Sequence, residues 1–485
     1  MRTKKTVAML VFSLISVLLT PSSVTADQGT FSSQTGFGSG GFVEISGGSS
    51  HSCAVLNDGS VKCWGYNYFG QLGIGNTTDM YTPTDVDIGA GRTAISIAAG
   101  ALTTCVILDD YSLKCWGWNQ YGQLGIGNNI DQSLPQYVDL GIGRSAMAIS
   151  LGGRHTCAIL DDASLKCWGG NTKGQLGLGY QNATLGHNNP QIVNLGVDRK
   201  AVLLSTGIFN TCAVLDDTTL KCWGYGALGL GNSSSIIDTP QAVDIGVGNA
   251  VAVNSAGSGS QSHTCAILAA PSIGYSINTS GDRGPTSTYE STMMCWGAIN
   301  GNGWPNNQGL YTQNYPVSRS ESNVLSIIAI DKGSEHTCII LYNNSLICFG
   351  GQNSGLMGNG LSSSNIFTLS DSLENPVNMG LNRNTLAVST GSGHTCAIDD
   401  IAQLKCWGSN GNGQLGTGNT TEHWTPKLID LGPGRHMALS ERDRDDDGIL
   451  NIFDTHMNSS GVLSTGSGHT CSVLDNYSLS CWGRD

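Results

Sequence analysis

Sixteen cysteines are the residues of this chain whose type and spacing could do chemistry, because they fall into eight pairs held in one frame. Seven pairs stand ten positions apart: Cys53 with Cys63, Cys105 with Cys115, Cys157 with Cys167, Cys212 with Cys222, Cys338 with Cys348, Cys396 with Cys406, and Cys471 with Cys481. The eighth, Cys265 with Cys295, is stretched. Paired thiols form disulfides or hold a metal, and the absence of any C-x-x-C pair disfavours zinc. In the first repeat the apolar-alternating runs FVEISGGSSHSCAVL and SVKCWG flank the turn Asn57-Asp58-Gly59 and read as a hairpin. Counting outward from Asp58 sets Cys53 opposite Cys63. Opposed residues of antiparallel strands have Cα atoms about 4.5–5.5 Å apart, within reach of a disulfide. A bridge inside each hairpin is the expected chemistry, with no thiol left over.

A second constellation is the run from Asp443 to Asp454 inside an insertion at 441–460. Asp443, Asp445 and Asp447 fill loop positions one, three and five. Gly448 follows at six, Ile449 offers a backbone carbonyl at seven, Asn451 stands at nine and Asp454 at twelve. Hard oxygen donors at this spacing wrap one calcium ion, which would order the loop. The run resembles the Asp-rich calcium repeats of the thrombospondin type-3 kind or a lone EF-hand loop. Its last ligand departs from the usual Glu, which weakens bidentate coordination.

A histidine stands two positions before the first cysteine at His51, His155, His263, His336, His394 and His469, but Thr103 and Asn210 replace it twice. No acid recurs beside it to orient a catalytic imidazole. A hydrogen bond that serves the fold is the expected role. N-x-S/T sequons at Asn76, Asn182, Asn232, Asn278, Asn343, Asn419, Asn458 and Asn476 lie mostly in loops, where either glycosylation or turn formation uses them.

The elements that position these residues recur. Successive first cysteines lie 52, 52, 55, 53, 73, 58 and 75 residues apart, a period that marks a propeller, solenoid or array. Charged residues make up only 12% of the chain while glycine contributes 67 positions, which suits an all-β chain with tight turns. In each hairpin C-W-G recurs (Phe349 replaces Trp once), an aromatic at fixed facing that reads as a plug between sheets. The second half of each unit carries Gly-Gln-Leu-Gly and later a proline, at 83, 135, 190, 240, 316, 376 and 426, suited to turns and strand edges.

Residues 1–26 have Arg2, Lys4 and Lys5 before the apolar run Val7 to Leu19 and end in Val24-Thr25-Ala26, the pattern of a signal peptide. A run of thirteen residues is too short to span a bilayer, which takes about twenty. Residues 27–41 form a flexible Gly/Ser leader. The formal charge is −13, and removing the three basic residues of the segment leaves −16. Such an acidic surface argues against nucleic-acid partners. Export into a disulfide-permissive space is expected: secreted, cell-surface or periplasmic.

The order HTCAxLDDxxLKCWGxNxxGQLGxG, followed by T-P and V-D-L-G, resembles the regulator-of-chromosome-condensation repeat across residues 42–485. The resemblance implies a seven-bladed β-propeller. Eight hairpins but seven second halves imply one surplus or closing hairpin, and eight blades with an incomplete last one is the alternative. A cysteine pair in every hairpin resembles the secreted, disulfide-stapled branch of such propellers.

Neither a Ser/His/Asp order nor paired acids in a shared frame points to catalysis. A non-catalytic binding propeller with an extracellular macromolecular partner is the leading reading. Nucleotide exchange on a small GTPase, implied by the family name, and an extracellular hydrolase or lyase are the alternatives; export and acidity count against exchange. Specificity is expected where the repeats differ. The largest departures are the hairpin-tip insertion 269–291, with Tyr275, Arg283 and Tyr289, and the decayed turn at Trp304.

Overall fold

Alternating runs with a turn every few residues cannot bury one face alone, so each unit folds as a small sheet and leans on the next. In the first blade β1 (Ile45–Gly47), β2 (His51–Val55), β3 (Val61–Gly65) and β4 (Met80–Val86) pair antiparallel in chain order. Six more blades occupy 94–137, 146–192, 201–242, 249–319, 327–350 and 385–428. A computed structural model describes residues 45–435 apart from short stretches, chiefly 257–261, most of 270–290, 299–311, 320–326 and 362–368. Beyond 435 it describes the strand backbones 462–463, 470–473 and 479–482.

The cysteines sit on the second and third strands of every blade. Cys53 faces Cys63 in register and is bridged to it with Cα atoms 4.1 Å apart. The same register and the same 4.1 Å separation recur in the bridges of Cys105 to Cys115, Cys157 to Cys167 and Cys212 to Cys222. They recur again in Cys338 to Cys348 and Cys396 to Cys406. The expected pairing thus holds in each of these hairpins, although the Cα separation falls just below the expected 4.5–5.5 Å. The stretched pair Cys265 and Cys295 is bridged in the same register, so its extra residues extend the hairpin beyond Ala269 and Ser291 without disturbing the blade. Cys471 and Cys481 face each other along the backbone of the last hairpin, and their side chains lie outside the described residues.

Packing between blades follows one rule. Trp116 of blade 2 is buried among Leu72, Val86 and Ile88 of blade 1. Its Nε1 donates to the Gln71 carbonyl at 2.9 Å. Gly73, at φ +73°, lies so close that a Cβ there would come within 2.6 Å of the indole nitrogen, which is why the Gly-Gln-Leu-Gly turn ends in glycine. Trp168, Trp223 and Trp64 repeat the bond to Gln123, Gln175 and Gln414.

Blade count is settled by who touches blade 1. Trp64 bonds Gln414 of blade 7, Gly418 N–H donates to the Tyr81 carbonyl at 2.8 Å, and Ser392 N–H donates to the Gly48 carbonyl at 3.2 Å. The Gly418–Tyr81 bond repeats Gly75–Ser133, Gly127–Asn188 and Gly179–Asp238 between the earlier blades. The ring therefore closes at seven, and the eight-bladed alternative fails. The last hairpin is surplus, a separate three-stranded sheet of Val462–Leu463, Thr470–Val473 and Leu479–Trp482.

Two local features differ from the repeat pattern. In blade 6 a short helix, α1 (Leu369–Glu374), precedes Pro376 where the other blades have a proline-bearing outer strand. Its residues, LSDSLE, contain no β-branched side chain and Pro376 disfavours helix beyond Glu374. In the hairpin turns Gly59 takes φ +74°, but the equivalent residues Tyr111, Ala163, Thr218 and Ala402 adopt φ of 59–64° without being glycine. Closure of the hairpin by its bridge and by the next blade imposes that conformation on them.

Candidate interaction face

The turns joining first and second strands of successive blades converge on the propeller axis. Gly48, Gly100, Gly152, Gly207, Gly333 and Gly391 ring a cavity of about 100 Å³ at its mouth. A Cβ on Gly48 would come within 2.3 Å of the His51 ring, so glycine here makes room for the histidine beneath. Around this ring Ser392 N–H donates to Gly48 O, Ala101 N–H to Gly152 O and Gly153 N–H to Gly207 O, at 3.2–3.4 Å.

The repeated histidine links neighbouring blades. His51 Nε2 lies 3.0 Å from Thr104 Oγ1, and His155 and His394 make the same contact to Thr211 and Ser52 at 2.8 Å. Each of those hydroxyls spends its one proton on a carbonyl: Thr104 on Gln71, Thr211 on Gln175, Ser52 on Gln414. The hydroxyl oxygen must then accept from the imidazole, which fixes the neutral Nε2–H tautomer. Nδ1 of His51, His155 and His394 is left buried and without a hydrogen-bond partner among the described residues. Burial holds His51, His155 and His336 down to about 3 and His394 to about 4, with His394 lowering the first and third further by its charge.

One step deeper, the innermost strands of blades 1, 3, 4 and 7 carry a serine that accepts the next blade's N–H. Ser46 accepts from Ala99, Ser150 from Thr206, Ser205 from Ser255 and Ser389 from Gly47, at 2.9–3.1 Å. Blade 6 has Asp331 at this position. Its carboxylate accepts from Thr390 N at 2.8 Å, and from Asn254 Nδ2 and Lys332 N at 2.9 Å, tying blades 5, 6 and 7 together. Burial nevertheless pushes it up to about 7 against these bonds. Lys332 is buried beside it with Nζ 3.2 Å from Cys265 Sγ, and burial pulls its ammonium well below the usual lysine value.

Radially outward on this same face the blades cease to be alike. Residues after the third strand bond back to the axial turns: Tyr66 N to Ser50 O, Trp118 N to Leu102 O, Gly170 N to Arg154 O and Tyr225 N to Phe209 O, at 2.7–2.9 Å. Blades 1 to 4 place aromatic rings there in a crescent. Tyr66 stacks on Tyr68 at 6.4 Å, Tyr68 meets Phe69 edge-on at 5.0 Å, Phe69 meets Trp118 at 5.9 Å, and Trp118 meets Tyr121 edge-on at 5.3 Å. Arg154 continues the line, its Cζ 4.8 Å from the Tyr121 ring and 5.4 Å from Phe209. Lys173 lies 4.9 Å over Tyr225. Blade 7 has Ser409 at the corresponding place.

The opposite face, made by the hairpin turns, is held by ion pairs instead. Arg144 reaches Asp161 and Asp162, Arg199 reaches Asp216 and Asp217, and Arg435 reaches Asp58. The insertion at 269–291 grows from this face. Tyr275–Ile277 and Arg283–Pro285 form an antiparallel ribbon in which Tyr275 pairs with Pro285 and Ile277 with Arg283. Their side chains, together with Tyr289, Trp304 and the acidic run Asp443, Asp445, Asp447, Ile449, Asn451 and Asp454, lie outside the described residues. Repeat-by-repeat reading of the sequence singles out neither Asp331 nor the crescent. For the crescent a signal exists in the positions of W-G-x-N-x-x-G that change from repeat to repeat and are aromatic in the first two blades.

A ring of stapled blades with one differentiated face defines an interaction propeller. Models of the regulator of chromosome condensation (RCC1) repeat match residues 58–107, 115–159 and 404–439, and a second version matches 42–71, 94–123, 148–175 and 386–414. Residues 42–175 and 386–439 thus carry RCC1 repeats, and the chain folds as a seven-bladed RCC1-type β-propeller with a disulfide in every blade. The ultraviolet-B receptor UVR8 of Arabidopsis thaliana is 29% identical over 410 residues, covering 82% of this chain and 85% of UVR8. The human E3 ubiquitin-protein ligase HERC2 is 23% identical over 379 residues, covering 76% of this chain but 7% of HERC2. In fold the chain is similar to human WBSCR16, with TM-score 0.61 and 16% identity over 86% of this chain and 100% of that one. Prp20p of Saccharomyces cerevisiae gives TM-score 0.59 and 16% identity over 91% and 92%. Fold and repeats support a role in binding and regulatory interaction.

Proposed function

We propose that this protein is an exported, non-catalytic binding propeller that holds a macromolecular partner outside the cytoplasm, at a cell surface, in the surrounding medium or in a periplasm. The observation that carries this reading is the bridge in each of seven blades, with every described cysteine oxidised and buried. Such a set persists in oxidising compartments. Among the described residues no helix is long and apolar enough to cross a membrane. Prp20p has binding properties toward Gsp1p and histones. An exported chain would meet neither, so its partner must be chosen by its own surfaces. The ribbon at the blade 5 tip is one such surface, with Tyr275, Arg283, Tyr289 and, nearby in sequence, Trp304 as anchors.

Expression of the full chain with its first 26 residues should yield an exported protein beginning at Asp27, recovered with its partner from the medium or surface extract. Shortening 269–291 to a tight turn should leave the fold intact and lower partner recovery at least tenfold, because a long tip adds little loop entropy. Retention in the cytosol, or capture of a small GTPase there, would overturn the export reading in favour of exchange. Unchanged recovery by the shortened protein would remove the tip as the site.

The acidic run is read as a structural calcium loop held by Asp443, Asp445, Asp447, the Ile449 carbonyl, Asn451 and Asp454. Titration calorimetry should find one calcium event that Asp443→Ala with Asp447→Ala abolishes. Equal uptake by that variant would refute the assignment.

A further inference from the structure

We propose that the aromatic crescent of blades 1 to 4 is a second binding site, one that takes an extended segment of a partner polypeptide bearing carboxylates between apolar or aromatic side chains. This rests on the binding-propeller reading but not on the blade 5 tip, which grows from the opposite face.

Three observations select that chemistry. The first is charge. Arg92, Arg144, Arg199, Arg383 and Arg435 each reach an aspartate on the hairpin-turn face. Arg154 and Lys173 stand on the other face and have no carboxylate partner among the described residues; each lies over rings. Two unneutralised cations on a chain of net charge −13 form a local positive site. Their number is too small to hold a phosphate backbone, and cations already seated on rings lose little freedom when a carboxylate arrives.

The second is exposure. Tyr68 is 67% exposed, and Tyr66, Phe69, Trp118, Tyr121, Phe209 and Tyr225 are all half-buried rather than packed away. A stripe of Tyr, Trp, Phe and Arg with one side open is the composition of interface anchors. By contrast, the repeated plugs Trp64, Trp116 and Trp168 are fully buried, so the fold does not need the crescent to be aromatic.

The third is shape. The rings do not share a plane: successive pairs meet at 9°, 81°, 49° and 85°. Edges and faces alternate along a curved line, which leaves notches between rings and no flat platform on which sugar rings could stack in succession. Steps of 5.0–6.4 Å between rings are close to the spacing of alternate residues on one face of an extended chain, about 6.6 Å. On that spacing a segment of roughly eight to ten residues reaches from Tyr66 to Arg154.

The test uses the full exported chain and a fluorescein-labelled decapeptide in which Glu alternates with Phe and Pro. Its controls are the counterpart with Lys for Glu, and a tetragalacturonate as an anionic glycan. Fluorescence anisotropy should show binding of the Glu peptide, weakened by salt, with quenching of tryptophan emission, and no binding of the Lys peptide. Arg154→Gln with Lys173→Gln should weaken it at least tenfold, and Tyr68→Ser should weaken it severalfold, with unfolding midpoints unchanged. The tip-shortened protein should bind as the parent does. Equal binding of the two peptides, binding of the glycan alone, or full binding by the Arg154/Lys173 variant would overturn the proposal. So would binding lost only on shortening the tip, or protection of the crescent by self-association in sedimentation.

Discussion

Lowering the pH below 6.5 should unfold this propeller cooperatively, with a midpoint between roughly pH 4 and 5.5. His51, His155 and His336 are held to about 3 and His394 to about 4 by burial. A histidine whose folded value is depressed contributes stability that is present above its unfolded value of about 6.5 and lost as the pH falls toward the folded one. Asp331, raised to about 7, runs the other way. Its contribution is complete below the unfolded value of about 4 and lost as the pH rises through 7, so between these limits the native state already carries that proton. Four protons taken up on unfolding less one already bound leave about three, or about 4 kcal/mol per pH unit. Lys332, whose ammonium form burial disfavours, adds loss in the same direction as the histidines wherever the pH exceeds its folded value. Against a total stability of about 5–15 kcal/mol the histidines win within a few pH units. Circular dichroism across pH 3–8 checks this expectation (roughly the range in which histidine titrates). His51→Gln with His155→Gln keeps a donor for Thr104 and Thr211 and should shift the midpoint downward and reduce proton uptake by about two. A parent protein still folded at the lower limit, or a variant with the parent's midpoint, would contradict the assignment.

The physical reason those histidines are buried is only half legible in the sequence. Six repeats of His two places before Cys announce a fold-serving hydrogen bond, but its acceptor, the Thr or Ser after the equivalent position, belongs to the next blade. Relations inside one hairpin are fully legible: ten-residue spacing forces Cys53 opposite Cys63, and the period-two alternation puts Trp64 on the other face. Relations between blades need the ring. Asp331 looks like any acid until it is found where Ser46, Ser150, Ser205 and Ser389 stand in blades 1, 3, 4 and 7, and its burial follows from closure alone. The helix at Leu369–Glu374 is masked by the recurring proline at 376, which suggests another outer strand. The crescent is hidden for the opposite reason. A repeat pattern is read from what recurs, whereas Tyr66, Trp118 and Tyr225 occupy a place that varies. Arg154 and Phe209 likewise enter from turns that carry Ser50 and Leu102 in blades 1 and 2.

That division between recurring and varying residues sets a second large expectation, which two tryptophans a single residue apart can separate. Trp116 plugs blade 2 against Leu72, Val86 and Ile88 and donates to Gln71 O at 2.9 Å. Trp116→Ala should cost about 3–5 kcal/mol, the range for emptying a large aromatic site in a close-packed core. The lost hydrogen bond adds little, because Gln71 O retains the Thr104 hydroxyl at 2.8 Å. Trp118, on the far side of Gly117, touches only Phe69 and Tyr121 among the described rings, at 5.9 and 5.3 Å, and is half-buried. Two such ring pairs at the surface contribute about 1 kcal/mol, so Trp118→Ala should leave the protein nearly as stable as the parent. Binding of the Glu–Phe–Pro peptide should show the reverse order: at least tenfold weaker for Trp118→Ala, and unchanged for Trp116→Ala under conditions where that variant remains folded. Denaturant melts and anisotropy on the same two preparations read both quantities. Equal destabilisation by the two substitutions would mean that the crescent belongs to the core, and undiminished peptide binding by Trp118→Ala would mean that the open aromatic face is not where the partner lies.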